Sequence, residues 1–75
     1  HAIANAIDIG GFVLKDGRRI TILNDWRSPD PAVQQFLQAI RSSACKRFGT
    51  VIGPDYNAAH RNHLHLEDDK ARFCR

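Results

Sequence analysis

The spacing of apolar positions changes along the chain, and each change marks an element. Ala6, Ile7, Ile9, Phe12, Val13 and Leu14 predict a strand over residues 6–14, interrupted by Gly10-Gly11. Paired glycines inside a strand point to a bulge or to close approach of another backbone. Asp16-Gly17 then separates two apolar runs, which predicts a hairpin closed by a type I′ turn, with residues 19–23 as the return strand. Residues 24–29 are a connection. Asp30 is a good N-cap, and Pro31 suits the first helical position. Val33, Phe36, Leu37, Ile40, Ala44 and Phe48 follow at intervals of three and four, one apolar helix face. Lys46 and Arg47 favour the negative end of that helix, and Gly49 is a natural residue to end it. Residues 50–52 predict a short strand stopped by Gly53-Pro54, and residues 55–59 a loop. Residues 63–66 alternate with period two, which puts His63 and His65 on one face and Leu64 and Leu66 on the other. Residues 67–75 read as a polar tail apart from Phe73 and Cys74. The pattern is that of an α+β domain, a small antiparallel sheet with one main helix packed on it.

Seventy-five residues make one domain whose core is marginal without a disulfide, a metal or a partner. At 43% hydrophobic and 25% charged the chain is globular, not a disordered tail. Its net charge of +3 comes from scattered Lys and Arg without a basic stripe, so nucleic-acid binding is not expected. No segment approaches the roughly 20 apolar residues of a membrane span. The abrupt start on His1, without an initiating Met, is expected of a fragment or a processed product. Cys45 and Cys74 are the only cysteines and neither lies in a C-x-x-C. A disulfide between them is the better reading, with an oxidising compartment implied, and two buried thiols are the alternative. Such a bond would tie the end of the helix to the C-terminal end of the chain.

The candidate chemistry lies in the histidines. Three of the four fall in His60-Arg61-Asn62-His63-Leu64-His65, and the fourth is His1, ahead of Asp8. An H-x-H on a strand sends two imidazoles to one side, roughly 6–7 Å apart at Cα. Both could bind one metal, or one could bind while the other meets a substrate. Asp8 could add a hard oxygen ligand from a neighbouring strand, and His1 could reach the same point. That donor set resembles an open catalytic zinc site, with three protein ligands and a place for water. The bland alternative is surface histidines on a small domain, with His60 simply a loop residue. Trp26 and Tyr56 could line a groove, though packing in the core or at its rim is the simpler role. Asp25 is a second-sphere partner or a loop cap, and Arg18, Arg19 and Arg61 are ordinary solvated charges or peptide-carboxylate contacts.

H-A-x-A-N-A-I-D-I-x-G-F, D-G-R-R-I, A-C-x-x-F-G-T-V, G-P-x-Y-N-A-A-H-R-x-H-x-H-L and the final C-R resemble the extensin-like C-terminal domain family of bacterial proteins over nearly the whole chain, residues 1–75. That family is similar to the zinc peptidases that act on D-Ala-D-Ala and peptidoglycan cross-links and that share a fold with the hedgehog signalling domain. The resemblance implies Zn2+ held by His1, Asp8 and His65. It implies His63 as a non-ligand histidine at the reacting atoms, His60 as a further site histidine, and pairing of Cys45 with Cys74. It also implies a cell-wall peptide as substrate and the bacterial periplasm or exterior as location. Three departures accompany it. Asn62 stands where many related peptidases carry Glu or Asp. Ala4 stands where they often have Gly. The upstream Ser and substrate-binding Arg lie outside this chain. The expected function is zinc-dependent amide hydrolysis of the D,D-carboxypeptidase or murein endopeptidase type. The alternatives are a non-catalytic zinc-stabilised binding module, which Asn62 favours, and a copper site at a free N-terminal histidine.

Overall fold

The alternation His63-Leu64-His65-Leu66 organises the molecule, because it gives one strand a polar site face and a core face. In the computed structural model, which describes residues 5–75, that strand lies inside a four-stranded sheet. The elements in chain order are β1 (Ala6–Ile9), β2 (Gly11–Val13), β3 (Arg19–Thr21), α1 (Ile22–Asp25), α2 (Pro31–Arg47), β4 (Thr50–Ile52), a 3-10 turn (Ala58–His60), β5 (Leu64–Glu67) and β6 (Phe73–Cys74). The large sheet runs β1-β5-β4-β6, and β2 and β3 form a separate hairpin. The expected α+β class is the observed one. One edge pair, β4 with β6, is parallel, an addition to the antiparallel sheet read from the sequence.

Residues 6–14 are not one strand. β1 pairs with β5, whereas β2 leaves for the hairpin, and the break is at Gly10, whose carbonyl accepts from the Ile22 amide at 2.9 Å. Gly11 makes the close backbone approach that its position predicts: a Cβ there would stand 2.7 Å from the Ile20 carbonyl oxygen. The hairpin exists, but its turn is not type I′. Only Gly17, at φ +89°, has positive φ among the described residues, so Asp16 does not adopt the conformation that turn requires. Leu14 instead bonds Arg18 across a three-residue loop, the Gly17 amide donates to Leu14 at 3.0 Å, and the Asp16 carboxylate accepts from the Arg18 amide at 2.9 Å. This is a tight turn followed by a glycine bulge.

The return strand stops at Thr21, two residues early. Thr21 caps α1 by accepting from the Asn24 amide at 3.1 Å, while the Asp25 carboxylate reaches back to the Thr21 amide at 2.8 Å. Reciprocal capping of this kind satisfies donors that a helix start leaves open. Asp25 is therefore a cap, the second of its two sequence roles. α2 begins as its sequence dictates, with the Asp30 carboxylate accepting from the Ala32 amide and Pro31 at the first position. Its end differs in mechanism. Phe48 leaves the helix in extended conformation and Gly49 has no positive φ. Gly49 is needed because a Cβ there would overlap both the side chain and the main chain of Asp69.

Two clusters form the core. Ile20, Ile22, Trp26, Val33, Leu37 and Leu64 make the larger one, and Ala44, Val51 and Leu66 the smaller, with Ile9 touching both. Leu64 and Leu66 thus pin β5 to α2 and to the hairpin from beneath, leaving the opposite face of β5 for polar side chains. Trp26 is buried and belongs to this core. The tail is more structured than its polarity implies. β6 follows β4 in parallel, with main-chain bonds from Phe73 to Gly49 and from Arg75 to Val51, and the Cys45–Cys74 disulfide joins it to α2 across a Cα separation of 5.9 Å.

Candidate functional site

Register brings the expected site residues together. β1 and β5 pair so that Asp8 stands directly opposite His65. Their side chains meet on the same face of the sheet, and His65 Nδ1 lies 2.8 Å from Asp8 Oδ1. The other ring nitrogen, Nε2, lies 2.7 Å from Glu67 Oε1. Glu67 is two residues on from His65 in the same strand and so shares its face. With a carboxylate at each nitrogen the imidazole donates twice, which is the arrangement of the protonated ring. The hydrogen bonds to Glu67 and then to Asp8 raise the His65 pKa, against a smaller opposing effect of burial. The bond from His65 lowers the Asp8 pKa, helped by the nearby imidazoles.

His60 and His63 are held differently. His60 ends the 3-10 turn, and its Nδ1–H donates to Asn57 Oδ1 at 2.7 Å. His63, just before β5, donates from Nδ1 to Asn62 Oδ1 at 2.7 Å. An amide oxygen can only accept, so Nδ1 is the donor in each bond and Nε2 is the nitrogen left to exchange a proton. The His60 ring centroid is 5.1 Å from that of His63 and 6.1 Å from that of His65. Tyr56 continues the row, 6.1 Å from His60 and 5.5 Å from Phe73. Tyr56 is 49% exposed, so it sits at the rim of the site and not in the core.

Asp8, His60, His63 and His65 are therefore neighbours. His1 lies outside the described residues. Arg18, Arg19 and Arg61 are exposed and take no part in the cluster's hydrogen bonds. Among the described residues no group of three or more His, Cys, Asp or Glu is spaced to hold a metal ion. Asp8 and His65 nevertheless suit two places of a zinc site. Ligand atoms about 2.0–2.1 Å from a tetrahedral ion stand roughly 3.3 Å apart, and these two need open by only about half an ångström. The sequence reading missed Glu67, Asn62 and Asn57 as orienting groups. Glu67 was legible, since it extends the period-two face of H-L-H-L-E. The two asparagines carry no such signal, because their contacts depend on the shape of the turn before β5.

The Asp8–His65–Glu67 row makes one pH-dependent contribution to the stability of metal-free protein. A raised His65 pKa contributes stability that is full below the ordinary imidazole value of about 6.5 and is lost as pH rises through the folded value. A lowered Asp8 pKa contributes stability that is full above the ordinary carboxylate value of about 4 and is lost as pH falls through the folded value. The row is thus strongest between about pH 4 and 6.5 and weakens on both sides. An NMR titration of the His65 ring is expected to give a midpoint above the ordinary one, moving down in Asp8→Asn and in Glu67→Gln. An unmoved midpoint in both variants would remove the row as its cause.

Among the described residues no helix is long and apolar enough to cross a membrane. No curated protein and no solved structure matches the chain significantly. A family model does, and it spans every residue: the model described as extensin-like protein C-terminus matches residues 1–75, and the chain belongs to that family.

Proposed function

We propose that the chain is a zinc-dependent hydrolase of amide bonds in bacterial cell-wall peptides, of the carboxypeptidase or endopeptidase type, working in the periplasm or outside the cell. One observation carries the reading: an imidazole and a carboxylate converge across β1 and β5 beside two histidines that are each held through Nδ1. The resemblance, read from the sequence, of the chain's H-x(6)-D and H-x-H to the motifs of peptidoglycan zinc peptidases supports it. So does the disulfide, which persists in oxidising compartments.

His1, Asp8 and His65 would hold the metal. Zinc held there would supply Lewis-acid chemistry, making a water more acidic and a scissile carbonyl more electrophilic. The chain's own residues move the protons. His63 Nε2 accepts a proton, and Asn62 holds the ring throughout, since the Nδ1–H that it accepts is present in both charge states. Asn62 thus has a task although it cannot itself be the base. The proton that His63 takes is the one returned to the leaving amine, directly or by way of the adjacent His60, which Asn57 orients. Asn62 also favours a second reading, a zinc-stabilised module that binds cell wall or protein without turnover.

Metal analysis and muropeptide cleavage by the intact protein separate these. One zinc per chain is expected, lost in Asp8→Ala and His65→Ala. His63→Ala should keep the zinc and lose about 10²–10⁴-fold in rate. Zinc without cleavage would establish the binding module, and no zinc at all would sink both readings.

A further inference from the structure

The row of rings does not end at the histidines. From His65 it passes through His60 to Tyr56 in two steps of 6.1 Å and on to Phe73 in one of 5.5 Å. There it opens on a cavity of about 540 Å³ lined by Arg41, Asp55, Tyr56, Phe73, Cys74 and Arg75. This volume is in the usual range for a small-molecule or peptide-end site. Its charge is one-sided. Asp55 is its only side-chain carboxylate and is already engaged, accepting from Arg27 at 3.1 Å. Neither Arg41 nor Arg75 pairs with a carboxylate among the described residues. The Arg75 guanidinium lies 5.6 Å above the Phe73 ring centroid. Arg41 gives one N–H, at 3.4 Å, to the Cys74 carbonyl. Most of the five donors on each guanidinium remain unspent. A guanidinium fork with free donors beside aromatic walls selects a carboxylate carried on a partly apolar chain.

We propose that this cavity is a substrate subsite for a carboxylate of the peptide, with the chain lying along Tyr56 and His60 and its scissile amide at the Asp8–His65 pair. The proposal rests on the hydrolase reading for the position of the amide, but not for the binding of the carboxylate. The path from His65 through His60, Tyr56 and Phe73 to the Arg75 guanidinium is at most about 23 Å, so up to about seven extended residues separate the held carboxylate from the cleaved bond. The disulfide has a part in this, because Cys74 anchors the strand that presents Phe73 and Arg75.

The test uses a soluble muropeptide with free carboxylates and the same compound with its carboxylates converted to amides. Binding to the intact protein is followed by NMR of the arginine side chains, and cleavage is followed separately. The free acid should bind about tenfold to a hundredfold more tightly than the amide. Arg75→Gln, at an exposed position, and Arg41→Gln should each erase most of that difference by raising KM while kcat changes little. Arg41→Lys should restore part of it, which loss of structure alone would not allow. Acid binding without any cleavage would keep the subsite and remove the hydrolase. Cleavage and binding that are equal for acid and amide would overturn the subsite and keep the hydrolase. Failure of both compounds to bind would overturn the subsite outright.

Discussion

Replacing Cys45 and Cys74 by alanine is expected to cost the protein about 3–4 kcal/mol, from the closed-loop entropy of a bridge of this span. The two half-cystines close a loop of 29 residues containing β4, the 3-10 turn and β5. A core in a domain of this size supplies only about 3–5 kcal/mol of net stability, so most of the margin resides in the bond. Reductant should reproduce the double variant's denaturant midpoint. The loss should also be local before it is global. β6 is two residues long, and beyond its main-chain bonds to β4 it is fastened to α2 by the disulfide and by one long hydrogen bond from Arg41 to the Cys74 carbonyl. Hydrogen exchange at Phe73 and Arg75 should therefore accelerate at reductant levels that leave β5 protected, and carboxylate binding should fall with it. An unchanged midpoint, with the Phe73 and Arg75 amides still protected, would show that strand pairing alone holds the tail.

Legibility followed the range of the interactions. α2 could be read because its cap, its Pro and its apolar period lie within the helix itself. The hairpin could be located, but not its turn type, since whether Asp16 takes positive φ depends on how many residues the flanking strands leave between them. The split of residues 6–14 was hidden because strand propensity says nothing of which sheet a strand joins. α1 was masked by Ile20-Thr21-Ile22, a β-branched run that reads as strand, although Thr21 and Asp25 carry the capping groups. β6 was invisible for a different reason: its partners, β4 and Cys45, are far away in sequence. In the site, spacing offered Asp8 and the His63/His65 pair and the family resemblance singled out His65, but the opposition of Asp8 and His65 depends on β1–β5 register across 57 positions. The His60 and His63 rings are oriented by asparagine contacts made only once the turn is folded.

That register has a physical anchor, and removing it is the other large effect. Leu64→Ala is expected to destabilise the chain by about 2–5 kcal/mol, towards the upper end of that range. Leu64 is fully buried, between His63 and His65, and belongs to the main core cluster with Ile20, Ile22, Trp26, Val33 and Leu37. The vacated space cannot close easily. On one side the backbone of Gly53 already stands so near that a Cβ there would be 2.9 Å from the Leu64 Cδ2, and on either flank β1 and β4 are fixed by their ladders to β5. The loss also reaches the site, because sliding β5 by one position would turn His65 into the core and Leu64 or Leu66 outward. Leu64 is one of the side chains that make this slip unfavourable. Chemical denaturation should show the lowered midpoint, and the His65 ring resonance should lose the raised titration midpoint that Asp8 and Glu67 give it. Leu64→Met should cost less than about 1.5 kcal/mol and keep that midpoint. Ile7→Ala, at a half-exposed position of β1, should stay within about 0.5 kcal/mol. A Leu64→Ala protein with stability like that of Ile7→Ala would mean that β5 is held in register from its polar face, by Asp8, His65 and Glu67, and not from the core.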